Sequence, residues 1–72
     1  MRGMKQFVGR KVLVSTLDKG AVAGILWRAR RDGLELRKAE EVTRGVALDG
    51  VIWIPAVQVA QVEPAVAHRE PD

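Results

Sequence analysis

The sequence predicts an all-β fold, a small barrel of short strands preceded by one short helical turn. Three observations carry that prediction. The run from Lys11 to Leu26 holds two β-rich stretches on either side of Asp18-Lys19-Gly20, which reads as a hairpin rather than a helix. Gly24 interrupts the second stretch, where a glycine marks a bulge, a bend or a close backbone approach. Further apolar runs follow at short intervals, punctuated by Asp32-Gly33 and Asp49-Gly50. A short strand followed by a long bent one is how a small sheet curls on itself.

The elements follow in order. Residues 1–10 are a polar, basic lead-in with a helical turn around Lys5-Gln6-Phe7. Lys11 to Leu17 is β-branched and apolar, a strand with Val12 and Val14 facing inward. Val22 to Arg30 forms the longest strand, Ile25, Trp27 and Ala29 facing one way and Leu26, Arg28 and Arg30 the other. Arg31-Asp32-Gly33 is a turn, since Asp-Gly tolerates positive φ. Leu34-Glu35-Leu36-Arg37-Lys38 alternates strictly, as a half-buried strand does. Ala39 to Val42 ends that strand, because Thr43-Arg44-Gly45 breaks the pattern before a helical period develops. Val46 to Leu48 leads to Val51-Ile52-Trp53-Ile54, read as a strand buried on both faces. Pro55, which has no N–H, separates it from a strand over Val57 to Val62. Residues 1–63 make one barrel domain, and residues 64–72 read as a flexible tail.

Composition narrows the function. A chain of 72 residues holds one domain and buries only about 60% of its unfolded surface. With no cysteine and one histidine, His68, neither disulfides nor a metal site can reinforce so thin a core. No cofactor is expected. Self-association is the remaining support, so an oligomer is expected. The basic start carries no apolar leader, and no run approaches the roughly 20 residues of a membrane span, so a cytoplasmic protein is expected. Twelve Lys and Arg against nine Asp and Glu leave +3 and a pI near 10.0, which permits a polyanionic partner without requiring one.

Enzymatic chemistry is not expected. Ser15, Thr16 and His68 offer no nucleophile held beside a base, and Glu35, Glu40 and Glu41 carry no sign of a buried carboxylate pair. No glycine-rich turn opens a helix, so phosphate-loop and dinucleotide signatures are missing.

The order of motifs resembles the Sm-like (Lsm) family. Its first motif is matched by Val12-x-Val14, Leu17-Asp18-Lys19-Gly20, Gly24-Ile25-Leu26 and Leu34-Glu35-Leu36. Its second is matched by Ile54-Pro55-Ala56-Val57-Gln58-Val59-Ala60-Gln61-Val62, so the likeness spans Val8 to Val62. The resemblance implies an SH3-like barrel of five bent strands that joins its neighbours edge to edge in a ring. It also implies single-stranded RNA bound near the pore by two turns that meet there. The chain departs from the pattern at that pocket. The family's aspartate and asparagine fall near Ala29 or Arg30 and at Gly33, and its Arg-Gly falls on Pro55-Ala56. The Tyr-Lys-His of the bacterial host-factor branch falls on Pro55, Ala56 and Val57.

The candidate RNA surface is therefore Trp27-Arg28-Ala29-Arg30-Arg31. Its arginines Arg28, Arg30 and Arg31 supply phosphate contacts, with Lys5, Arg10 and Lys11 assisting from the lead-in. The alternative puts Trp27 in the core and leaves the arginines as a solvated strand end, with Lys5, Arg10 and Lys11 merely solubilising. Trp53 belongs to the core or to a subunit interface, with a stacking platform as the other reading. Val51, Ile52, Trp53, Ile54, Val57 and Val59 are the candidate oligomer interface, because long uncharged strand edges aggregate unless paired. Two functions follow: a homo-oligomeric ring binding RNA with weak sequence preference, or a structural, protein-interaction ring that does not.

Overall fold

A computed structural model describes residues 4–65. A 3-10 turn, Met4–Phe7, precedes β1 (Lys11–Thr16), β2 (Ala21–Arg30) and β3 (Gly33–Glu41). Then come β4 (Val46–Ala47), β5 (Ile52–Pro55), a 3-10 turn at Ala56–Gln58, and β6 (Val59–Pro64). The strands form one antiparallel sheet in the order β4-β3-β2-β1-β6, with β5 also on β3.

The six segments amount to five strands. β4 pairs with Glu40 and Glu41, and β5 pairs with Gly33 to Leu36, both on the same side of β3. Residues 48–51 bulge out between them while the Leu48 N–H still reaches the Ala39 carbonyl at 2.8 Å. One bent strand is thus interrupted rather than two being added. The fold is the all-β barrel that the sequence predicts.

Two compensating bulges bend β2 and β3. Opposite Gly24, β3 carries an extra residue at Lys38-Ala39, where Lys38 takes a φ of 51°. A Cβ on Gly24 would sit 3.0 Å from the Ala39 Cα and 3.1 Å from the Arg37 carbonyl, so glycine permits close contact between the two strands. One turn of alternation later, Trp27 is the extra residue on β2, and the pairing returns to its first register.

The second bulge corrects the facing expected for β2. Leu26 lies opposite Leu36 in the core and Ala29 opposite Leu34, while Arg28 pairs with Glu35 and is exposed. An added residue reverses every side chain beyond it. Trp27 is consequently 44% exposed, and the core position considered for it is overturned.

The core is Val12, Val14, Leu26, Leu34, Leu36, Ala39 and Ile54, with Met4 and Phe7 of the first 3-10 turn among the half-buried side chains packed on it. Each fully buried aliphatic side chain contributes about 1.5–3 kcal/mol, a small total for a domain this size. β5 is buried on one face only: Ile54 is 5% exposed and Trp53 44%. The expectation of burial on both faces fails because this antiparallel sheet packs one face on the core and leaves the other to solvent. Val57 lies in the 3-10 turn rather than in a strand, since the chain must reverse after Pro55 before β6 can begin at Val59. β6 runs on through Pro64 opposite Val12, and the remainder of the expected tail, residues 66–72 with His68, lies outside the described residues.

Candidate nucleic-acid interface

Three turns meet at one end of the barrel. The tip of the β2–β3 hairpin is Arg31-Asp32, and the Ala56 N–H donates to the Asp32 carbonyl at 2.8 Å. That bond ties the Ala56–Gln58 turn to the hairpin. The Leu17 N–H donates to the Gln58 carbonyl at 3.0 Å, which brings in the β1–β2 turn as well. The Ala56–Gln58 segment is therefore a bridge between the other two.

Arg28, Arg30 and Arg31 are all exposed at this end. The Trp27 bulge is what turns Arg28 and Arg30 outward, so a packing irregularity creates the cationic surface. Lys19 adds a charge from the β1–β2 turn, where it takes a φ of 70°. Its neighbour Asp18 accepts from the Thr16 hydroxyl and from the Gly20 N–H at 3.1 Å. Those bonds, the Thr16 hydroxyl first, hold the Asp18 carboxyl below its ordinary value of 3.8. Between the charges lie two exposed apolar side chains, Leu17 at 62% and Val57 at 76%.

The lead-in cations stand apart from Arg30 and Arg31. The Gly9 N–H reaches the Leu26 carbonyl at 2.8 Å, and the Leu26 N–H returns to the Arg10 carbonyl at 3.0 Å. Arg10 and Lys11 are thus held beside the middle of β2, with Lys5 on the turn before them and all three exposed. Four strand residues, about 13 Å, separate Leu26 from Arg30. Charges screen over about 8 Å at physiological salt, so the lead-in lies beyond Arg30 and Arg31 and is joined to them through Arg28, two residues from Leu26.

The position where the resemblance implies a base-reading asparagine is Gly33, and it is buried. Its φ is not positive, so the reason expected for a glycine there does not apply. The Trp53 indole lies across it instead: an added Cβ would be 2.5 Å from Trp53 Cζ2 and 2.6 Å from the Ile54 carbonyl. Gly33, Pro55 and Ala56 together present no side-chain donor to a base.

Arg37 and Lys38 escaped the sequence reading. The Arg37 guanidinium carbon is 3.9 Å from the centroid of the Trp27 ring, a cation–π stack on the outer wall. In the sequence Arg37 is only the polar member of an alternating strand, and the stack exists because Trp27 is bulged outward.

The six candidate interface residues divide by environment. Val51 and Val57 are exposed, Trp53 covers Gly33 on the outside, and Ile52 and Val59 are half-buried against the core. Ile54 is committed to the core, so what it offers at the sheet edge is its backbone. Among the described residues that backbone is free: β5 pairs only with β3 and β6 only with β1, so the sheet ends in two unpaired edges. Among the described residues no helix is long and apolar enough to cross a membrane, and no group of three or more Asp, Glu, His or Cys converges.

No protein-family model and no curated protein matches the sequence. Among solved structures the chain is similar to a heptameric archaeal Sm protein, at 26% sequence identity and a TM-score of 0.76. The likeness covers 86% of this chain and 94% of that one. With that likeness over most of both chains, the fold of this chain is that of the Sm-like small β-barrels.

Proposed function

We propose that this chain assembles head to tail into a homo-oligomeric ring that binds single-stranded RNA at its turn end. The observation that supports assembly is the pair of unpaired edges, β5 at one side of the sheet and β6 at the other. Exposed edges invite pairing, and a head-to-tail contact that closes on itself makes a ring. The heptameric state of the archaeal Sm protein supports the same reading. The lack of cysteine is compatible with a cytoplasmic setting for it.

RNA binding rests on Arg28, Arg30 and Arg31 beside the meeting turns, with Lys5, Arg10 and Lys11 assisting from the lead-in. Repetition around a ring turns a modest charge per subunit into a continuous belt. Sequence preference is weak, because Gly33, Pro55 and Ala56 leave bases unread. A second reading, a ring that binds protein instead, is favoured by Leu17 and Val57, whose exposure of 62% and 76% gives the turn end an apolar centre.

Native mass spectrometry on protein purified at low salt without nuclease tests both. A multi-copy assembly carrying mass that ribonuclease removes is expected, and replacing Arg30 and Arg31 by Glu should abolish that mass and the steep salt dependence of binding. The bare assembly supports the second reading, and a monomer overturns the ring.

A further inference from the structure

Trp27 and Arg37 form a platform that the turn-end site does not use. The guanidinium carbon lies 3.9 Å from the ring centroid, yet Trp27 remains 44% exposed. A guanidinium stacked by its face keeps its N–H edge free for a phosphate oxygen. The uncovered part of the indole is a stacking surface of the kind that every base accepts.

Lys38 lies beside it. Its left-handed backbone, with φ at 51°, is the bulge opposite Gly24, and its side chain is exposed. Arg37 and Lys38 together line an open groove whose other residues are Leu48, Asp49, Gly50 and Val51. The groove runs along the interruption between β4 and β5; its Val51 wall belongs to the edge assigned to the ring seam, so only its Arg37–Lys38 wall is offered to RNA. Arg37 lies four residues from Gly33 along β3, about 13 Å from the hairpin tip. Arg28 stands between them on the same outer wall, opposite Glu35.

We propose that Trp27, Arg37 and Lys38 form a second contact for single-stranded RNA, with a base on the indole and phosphates on the two cations. A strand leaving the turn end would pass Arg28 and continue onto this platform, once per subunit. The proposal rests on the RNA reading above. The alternation of a flat aromatic surface with cations matches the alternation of base and phosphate, and Arg28, Arg37 and Lys38 outnumber Glu35 and Asp49 along the path.

The test is binding of fluorescently labelled oligouridine, one oligomer long enough for the turn end only and one long enough for both sites. The variants are Arg37→Gln with Lys38→Asn, and Trp27→Ala. Asparagine tolerates the left-handed backbone at position 38, so the pair should preserve the bulge. Loss of two phosphate contacts should lower the slope of log affinity against log salt by about 1.4 for the long oligomer and leave the short one unchanged. In a Trp53→Phe background, Trp27 emission should be quenched by the long oligomer alone. An unchanged slope and unquenched Trp27, in protein whose binding still fails on Arg30→Glu with Arg31→Glu, overturn the platform and spare the turn-end site. Wild-type protein that binds neither oligomer overturns both.

Discussion

The Trp53 indole occupies the space that a side chain on Gly33 would need. Their strands are paired through Gly33 and Pro55, so the ring, from two residues earlier on β5, reaches diagonally across the outer face of β3. An aromatic ring laid over a glycine restores packing that the glycine lacks and fixes how the two strands align. The position that resemblance assigns to recognition is spent on holding the edge strand in place.

Gly33→Ala should destabilise the fold by about 1–3 kcal/mol, the usual cost of forcing extra atoms into a packed site. Adding Trp53→Ala should restore only part of it. The ring can move away, but the Ile54 carbonyl, 2.6 Å from the new Cβ, belongs to the backbone. Urea denaturation of the single and double variants measures both effects.

Leu36→Ala should cost about 2–5 kcal/mol, since Leu36 is fully buried opposite Leu26 and Ile52. Arg37→Ala, on the next residue and the opposite face, should cost about 0.5–1 kcal/mol, the worth of an exposed cation–π pair. Chemical denaturation midpoints of the two variants would show whether neighbouring residues differ this strongly.

Acid should weaken the β1–β2 and β3–β4 turns. The Thr16 hydroxyl and Gly20 N–H hold Asp18 below 3.8, and the Thr43 hydroxyl, then Arg44, hold Glu41 below 4.5. A carboxyl lowered by folding stabilises fully above its unfolded value and loses that contribution as pH falls through its folded value. Stability should therefore be level near neutrality and fall below about pH 5. Thr16→Val with Thr43→Val should flatten the acid limb of a denaturation series.

If the proposed ring closes through this edge, Val51→Glu should dissociate it without unfolding the subunit. Val51, just before β5, is 52% exposed and absent from the core, whereas Val59 packs against it. Light scattering coupled to size exclusion reads the mass, and an unaltered assembly would exclude this edge from the seam.

Much of the fold is legible in local pattern. Val12 and Val14 alternate, Leu34 and Leu36 alternate, and Asp18-Lys19-Gly20 turns where its composition says it should. Gly24 marks the bulge that it suggests. The run Arg28, Arg30 and Arg31 is legible as a cationic surface, though not which face its members take. Trp27, Trp53 and Arg37 are not legible, because their surroundings come from other strands. A single extra residue at position 27 reverses the faces beyond it, and no alternation within β2 announces it.

The irregularities along β2 and β3 act as an index between strands. A featureless ladder could slip by two residues and present the same faces. Here such a slip would take Gly24 away from Ala39, Trp53 away from Gly33, and leave Lys38 strained without the bend it serves. A subunit with open edges and so small a core is keyed to one alignment before it meets a neighbour.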